Sequence, residues 1–166
     1  MRHIISILLQ NEAGALTRVA SMFSTRGYNI ESLSVAPTEN PSYSRLTLVT
    51  IGSDQVIDQI NKQLAKVVDV VSMADMTRGD HIERELLLLK MRLADGGAER
   101  IRELVRREGA RVLDDNPATY TVELTSTSGR IDEFVEKAAG AAEILTVARS
   151  GPMAISRGAQ VLAAPG

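Results

Sequence analysis

Apolar positions in residues 1–78 alternate between the spacing of strands and the spacing of helices. Ile4–Leu9 is a run dense in isoleucine and leucine that stops at polar residues, as a mostly buried strand does. The next apolar positions recur at i, i+3, i+4 and i+7 and predict one face of a helix: Leu16, Val19, Ala20 and Phe23. The pattern then predicts strands at Ile30–Ala36 and Leu46–Ile51, a helix over Val56–Leu64 and a strand at Val70–Met76. The predicted order is β-α-β-β-α-β.

The second half of the chain repeats this order. Its pattern predicts a strand at Leu86–Leu93, a helix over Ala98–Val105, strands at Ala110–Leu113 and Tyr120–Leu124, a helix over Ile131–Ala138 and a strand at Ile144–Ala148. Asn40-Pro41, before the third strand, has a counterpart 76 residues later in Asn116-Pro117. The repeat predicts an α+β protein of two ferredoxin-like βαββαβ sandwiches in tandem, each an antiparallel four-stranded sheet with helices on one face.

A polar stretch between the repeats predicts the domain boundary. It runs from Thr77 to His81, so the first domain is expected over residues 1–78 and the second over residues 79–166. Two domains of this size fall within the range of small folded units. The tail after Ser150 contains three glycines and two prolines and is expected to be partly irregular within the second domain.

Charge and composition exclude several classes of protein. Up to Asp80 the chain has 7 basic and 8 acidic residues, and after it 12 and 13, so neither half has the basic excess that nucleic-acid binding needs. The absence of cysteine removes disulfides, thiolate catalysis and Cys-ligated metal sites. No apolar run approaches the ~18 residues of a membrane span, and Ile4–Leu9 is too short for a signal peptide. A cytoplasmic protein is therefore expected.

Side chains that could carry chemistry are few and scattered. His3 and His81 lie at the ends of predicted strands without ligand-spaced partners, and we interpret them as surface polar residues. Asp114-Asp115 is interpreted as part of a turn and not as a cation site. Ser128 is the expected N-cap of the fourth helix, with Thr127 available one residue earlier. These interpretations predict no catalytic residue and no metal site in this chain.

The turn between the first strand and the first helix leaves two interpretations open. It has the sequence Asn11-Glu12-Ala13-Gly14-Ala15-Leu16. In the structural interpretation, Asn11 or Glu12 caps the helix and Gly14 eases the turn. In the functional one, the N–H groups and partial positive charge of the helix start bind a carboxylate, while Asn11 supplies a donor and an acceptor. The residues alone favour neither.

Two stretches of the chain carry a family resemblance. Leu9–Val19 resembles the opening of an ACT domain, a small amino-acid-sensing module, and Arg26–Thr38 is more specific. Together they resemble the small regulatory subunits of acetohydroxyacid synthase, also called acetolactate synthase. Further segments fit the same family: Ser44–Thr47, Asp69-Val70, Glu83–Leu86, Ala148–Gly151 and Ser156–Gly158.

The resemblance implies a non-catalytic regulatory chain. Such a subunit activates a large catalytic subunit and confers feedback inhibition by valine, and leucine and isoleucine remain open as effectors. Thiamine diphosphate, magnesium and FAD belong to the large subunit, so no cofactor is expected in this chain. The family also implies a homodimer formed through the ACT domains, with the branched-chain amino-acid effector at their interface.

The resemblance also assigns the effector-binding residues. Carried over to this chain, the contacts of one protomer are Asn11, Ala13, Gly14, Ala15 and Leu16, and those of its partner are Asn29 and Ile30. Backbone amides at Gly14–Leu16 would take the carboxylate. The two asparagines would orient the amino group, and Leu16 and Ile30 would hold the branched side chain.

Other functions stay open on the sequence alone. The main alternative is a stand-alone ACT-domain sensor that regulates a different amino-acid enzyme. A small enzyme on the ferredoxin-like fold, of the acylphosphatase type, would show turnover by the isolated chain. A ligand-responsive transcription factor would need a basic DNA-binding segment, which neither half has.

Overall fold

The computed structural model describes residues 1–94 and 96–165 and contains both predicted repeats. The first repeat comprises β1 (Arg2–Gln10), α1 (Ala15–Thr25), β2 (Ser32–Pro37), β3 (Tyr43–Ile51), α2 (Asp54–Leu64) and β4 (Val70–Asp75). The second comprises β5 (His81–Leu93), α3 (Ala98–Glu108), β6 (Arg111–Asp115), β7 (Tyr120–Ser126), α4 (Ser128–Ala139) and β8 (Ala142–Arg149). A further strand, β9 (Met153–Ser156), follows in the tail.

The first unit is a four-stranded antiparallel sheet with helices packed on one face. Its strand order is β2-β3-β1-β4. The helices bury residues one turn apart against the sheet, as their periodicity predicts. The core on this face contains Ile5, Ile7, Leu9, Val19, Phe23, Leu46, Leu48, Ile57, Ile60 and Leu64.

The second unit has the same architecture, with strand order β6-β7-β5-β8. Side chains of β5 alternate across the sheet, so Leu87, Leu89 and Met91 are buried under the helices while Leu86 and Leu88 are each 39% exposed. Its core contains Leu87, Leu89, Met91, Ile101, Leu104, Val105, Tyr120, Val122, Leu124, Ile131, Phe134 and Ala138.

The tail lies with the first unit, although the sequence pattern grouped it with the second domain. The chain divides into residues 1–82 together with the segment from Gly151 onward, and residues 83–150. Ala154 of β9 packs against Ile4, Val49 and Met76, on the face of the first sheet that the helices do not cover. This second cover explains why β1 is buried on both faces and has no polar alternation.

The two Asn-Pro turns have the same hydrogen-bonding role. Asn40 Oδ1 accepts the Ser42 N–H at 3.0 Å, and Asn116 Oδ1 accepts the N–H groups of Ala118 and Thr119, each at 2.9 Å. Both asparagines therefore fix a turn with their own side chains. The prediction for Asp114-Asp115 was wrong in one respect, because both residues belong to β6 and the turn begins after them.

Three other predictions about single residues were wrong. His3 is fully buried, with Nδ1 3.2 Å from Asp75 Oδ2, because the start of α2 covers the beginning of β1. Thr127, not Ser128, caps α4, and its hydroxyl accepts the Arg130 N–H. Leu16 is 38% exposed, because α1 turns Ala15 and not Leu16 toward the core.

Candidate functional site

The loop that leads into α1 is closed by a glycine and not by a side-chain cap. Gly14 occupies the N-cap position with φ of +85°, a conformation that side chains with a Cβ rarely adopt. Neither Asn11 nor Glu12 caps the helix with its side chain, so that part of the structural interpretation was wrong, whereas the part that assigned the turn to Gly14 is confirmed. Glu12 contributes its backbone carbonyl instead, which accepts the Ala15 N–H at 3.2 Å.

The loop presents a small, open surface beside the start of the helix. Ala13, Gly14 and Leu16 are exposed, whereas the side chain of Ala15 is buried in the core. Because the Ala15 N–H is donated to Glu12, the remaining donors of the expected set are the N–H groups of Gly14 and Leu16. These groups lie at the positive end of the α1 dipole, which favours an anion such as a carboxylate.

Asn11 connects this loop to the β2–β3 turn. Its Nδ2 donates to the Pro41 carbonyl at 2.9 Å, its Oδ1 accepts from the Ser44 hydroxyl at 3.1 Å, and its backbone N–H donates to Ser42 at 2.8 Å. A side-chain amide has two N–H donors and two acceptor lone pairs, so each group retains capacity for one further hydrogen bond. Asn11 therefore shapes the loop and can still contact a ligand.

The other two predicted residues lie between α1 and β2. The exposed Asn29 donates from Nδ2 to Glu31 Oε1 at 2.9 Å, and its carbonyl accepts the Thr50 hydroxyl at 2.8 Å. Ile30 is partly buried and packs against the core of the first unit. β2 begins at Ser32, two residues later than predicted, so Asn29 and Ile30 form a connection and not a strand.

The two sets of predicted residues lie at opposite ends of α1. The helix has 11 residues, which at 1.5 Å per residue separates its ends by roughly 16 Å. A ligand the size of one amino acid extends only about 3.5 Å along its backbone, much less than the length of the helix. One protomer therefore does not bring Gly14 and Asn29 to the same small ligand.

An ion pair beside the loop was missed by sequence reasoning. Arg18 binds the Asp69 carboxylate through Nε and through Nη2, the latter at 3.1 Å. Asp69 is 4% exposed, and hydrogen bonding from Arg18 holds the pKa of its carboxyl below the usual value. The same bond raises the pKa of Arg18. Both residues lie in stretches that carry the family resemblance, but 51 positions separate them along the chain.

Other candidate chemistry is sparse in the described part of the chain. Within residues 1–94 and 96–165, no three His, Asp or Glu side chains are placed to hold a metal ion. No helix there has the length and apolarity to cross a membrane. One surface pocket of the second unit is lined by Arg100, Arg107 and Lys137, and another by Asn116. Neither includes a predicted effector residue.

Comparison with known proteins gives family matches to both repeats. Residues 5–72 match the AHAS small subunit-like ACT domain, and residues 84–158 match the small subunit of acetolactate synthase. These two matches together span most of the chain.

Similar proteins match nearly from end to end. The acetolactate synthase isozyme 3 small subunit of Escherichia coli (strain K12) is 44% identical over 98% of this chain and 99% of its own length. The acetolactate synthase small subunit of Haemophilus influenzae is 41% identical over 95% of this chain and 97% of its own. A crystal structure of the acetolactate synthase small subunit from Thermotoga maritima has a TM-score of 0.83 at 30% identity and covers 95% of this chain and 98% of that one. This chain therefore belongs to the acetolactate synthase small-subunit family of branched-chain amino-acid biosynthesis, and its first unit is an ACT domain.

Proposed function

We propose that this chain activates a large catalytic subunit of acetolactate synthase and makes it sensitive to feedback inhibition by valine. Membership of the small-subunit family supports a large catalytic subunit as the partner. The observation that supports an effector site between protomers is the separation of Gly14 and Asn29 by the length of α1. A two-fold axis beside α1 would bring the start of one helix to the end of its partner's, because such an interface pairs each residue reciprocally.

The edge of the ACT sheet supports side-by-side pairing. β2 is the outer strand of the order β2-β3-β1-β4, so one row of its backbone groups is unpaired within the sheet. Val35 on this strand is 40% exposed, and its neighbours Ala36 and Pro37 are also exposed. A second ACT domain placed along this edge would cover Val35 and complete two equivalent effector sites.

The effector in this proposal is a free branched-chain amino acid. Its carboxylate accepts hydrogen bonds from the N–H groups of Gly14 and Leu16, and its ammonium group donates to the side-chain oxygens of Asn11 and Asn29. The side chains of Leu16 and Ile30 provide apolar walls. One methylene changes binding to such walls by only about 1–3 kcal/mol, so discrimination among valine, isoleucine and leucine is limited to a factor of that size.

Feedback follows from the sharing of one ligand by two protomers. A ligand shifts a conformational equilibrium only by the difference in its affinity for the two states. A tenfold inhibition requires about 1.4 kcal/mol of coupling, which a few hydrogen bonds made in one dimer geometry can supply. Thiamine diphosphate, magnesium and FAD act in the large subunit in this proposal, and the complex assembles in the cytoplasm.

The test is acetolactate production by a purified large subunit, with and without this chain, across a valine titration. Activation that valine then reverses is the expected result. Activation without inhibition by valine, leucine or isoleucine would keep the regulatory role and contradict the effector site. No activation of a cognate large subunit would contradict the proposal and favour a stand-alone ACT-domain sensor.

A further inference from the structure

We infer that Asp69 and Arg18 are positioning residues that hold the loop over residues 11–14 in its effector-binding form, an inference that rests on the function proposed above. Neither residue is among the expected effector contacts. Asp69 lies just before β4, and Arg18 lies in the first turns of α1. The ion pair therefore supports the loop without contributing a residue that would touch the ligand.

Asp69 binds both flanks of the loop. Its backbone carbonyl accepts the Gln10 N–H at 2.9 Å, where β1 ends and the loop begins. Its carboxylate binds the guanidinium of Arg18, which follows the loop in α1. A single residue therefore fixes the distance between the last position of the strand and the start of the helix.

Arg18 also contacts the loop directly. Its Nη2 donates to the Ala13 carbonyl at 3.4 Å. A Cβ added to Gly14 would lie 2.9 Å from Nη1, so the guanidinium packs against the glycine with no room to spare. A displacement of Arg18 would consequently displace the backbone at residues 13 and 14, which carries one of the two proposed carboxylate donors, the Gly14 N–H.

The unequal burial of the pair indicates which residue holds the other. Asp69 is buried, whereas 49% of the Arg18 side chain is exposed. A buried carboxylate without a partner is costly, and a two-point contact to guanidinium is directional. Arg18 is therefore bound to Asp69 in one orientation. It acts as a fixed support for the loop and not as the mobile ligand of the effector carboxylate.

The experiment compares two isosteric substitutions in the full-length chain. Asp69→Asn removes the charge that holds Arg18. Glu85→Gln is the matched control, because Glu85 is also buried at 3% exposure and also binds one arginine, Arg149, through Nε and Nη2 at 2.6 and 3.1 Å. Valine binding is measured by titration calorimetry, and activation and valine inhibition are measured with the large subunit.

We expect Asp69→Asn to raise the Kd for valine roughly tenfold, the effect of about one charge-assisted hydrogen bond. Glu85→Gln should leave that Kd within about twofold, since Glu85 belongs to the second unit and its ion pair with Arg149 is formed within that unit. Asp69→Glu, which keeps the charge, should recover part of the affinity. If Asp69→Asn is poorly folded, Arg18→Lys provides the same test, because it keeps the charge and loses the two-point contact.

The outcomes separate this inference from the proposed function. A wild-type chain that does not bind valine would overturn the effector site and the positioning role together. Valine binding that is equal in the wild type and Asp69→Asn would overturn the positioning role alone. Tighter binding by Asp69→Asn would also overturn it, because a released Arg18 would then be a direct ligand of the carboxylate.

Discussion

At the scale of single residues, the loop proposed to bind the effector depends on a backbone conformation that few amino acids adopt. Gly14 combines a positive φ with close packing against Arg18, so the position is restricted both by the backbone and by its neighbour. Gly109, which ends α3, has a similar φ of +72° but has nothing within 4 Å of an added Cβ. A comparison of substitutions at Gly14 and Gly109 therefore separates the cost of the backbone conformation from the effect on the loop.

Gly14→Asp is expected to abolish the response to valine while activation of the large subunit is retained. The new carboxylate would crowd Arg18 and repel the carboxylate of the effector. Gly109→Asp is the control, since both substitutions place a charged side chain at positive φ at a cost of about 1–2 kcal/mol. Valine inhibition curves of the reconstituted complexes check this. An undiminished response in Gly14→Asp would contradict the site assignment.

The Arg18–Asp69 pair is expected to stabilise the folded chain at neutral pH and to lose this contribution at acid pH. The pKa of Asp69 is below its ordinary value of 3.8 in the folded chain, so the folded state favours the carboxylate. The stabilisation is complete above about pH 4 and is lost as the pH falls through the lower folded pKa. Urea unfolding of the wild type and Asp69→Asn should therefore differ at neutral pH and converge in acid. The exposed Asp58, replaced by Asn, is the control and should show little difference at either pH.

At the scale of elements, a second ion cluster, centred on the buried Glu85, joins three segments of the second unit. Arg149, at the end of β8, donates to Glu85 of β5 and to Asp132 of α4, the latter at 2.6 Å. Ser128, the first residue of α4, donates to Glu85 Oε2 at 2.7 Å. Hydrogen bonding to Glu85 is the main reason that the pKa of Arg149 is raised. Two segments that carried the family resemblance thus meet in one cluster.

Arg149→Met is expected to lower the free energy of unfolding by about 3 kcal/mol, because it leaves Glu85 buried without its charged partner. The double variant Glu85→Gln/Arg149→Met should lose less than the single variant, since the buried charge is then absent. Chemical denaturation of the single and double variants gives this comparison. A double variant that is less stable than Arg149→Met would show that the charge of Glu85 is satisfied by other groups.

At the scale of the whole chain, the two repeats differ in what covers the outer face of each sheet. In the first unit, the segment from Gly151 onward covers this face, and its backbone carbonyls at Leu162 and Ala163 accept hydrogen bonds from Arg45 and Ser72. In the second unit, Leu86 and Leu88 on the corresponding face remain 39% exposed. The tail is therefore a structural part of the ACT unit.

Truncation after Ser150 is expected to destabilise the first unit by roughly 3 kcal/mol or more, because each large apolar side chain that becomes exposed costs about 1.5 kcal/mol or more. Ile4, Val49 and Met76 would lose the contact with Ala154. Truncation after Arg157 keeps β9 and should cost much less. Urea unfolding and binding of a hydrophobic dye compare the two forms. Equal stability of both would show that β9 does not contribute to this core.

The sequence by itself determined the elements of the fold and their order. Apolar periodicity is a local property, so the spacing of Ile101, Leu104 and Val105 predicts α3 without reference to any tertiary contact. The Asn-Pro turns were also predictable, because Asn40 and Asn116 bond to backbone groups only two or three positions away. The turn predicted between the first strand and the first helix is confirmed as the connection between β1 and α1, whereas its role as an effector site is a proposal.

Only the tertiary structure decided which surfaces are covered and which distant groups meet. His3 reads as a surface residue in the sequence and is buried because α2, more than 50 positions away, packs over it. The tail has no signal that assigns it to the first sheet, since its hydrogen bonds to Arg45 and Ser72 span 117 and 91 positions. The ion pair of Asp69 and Arg18 could not be predicted from the sequence for the same reason. Local spacing encodes helices and strands, but burial and ion pairing depend on contacts that form only when the chain has folded.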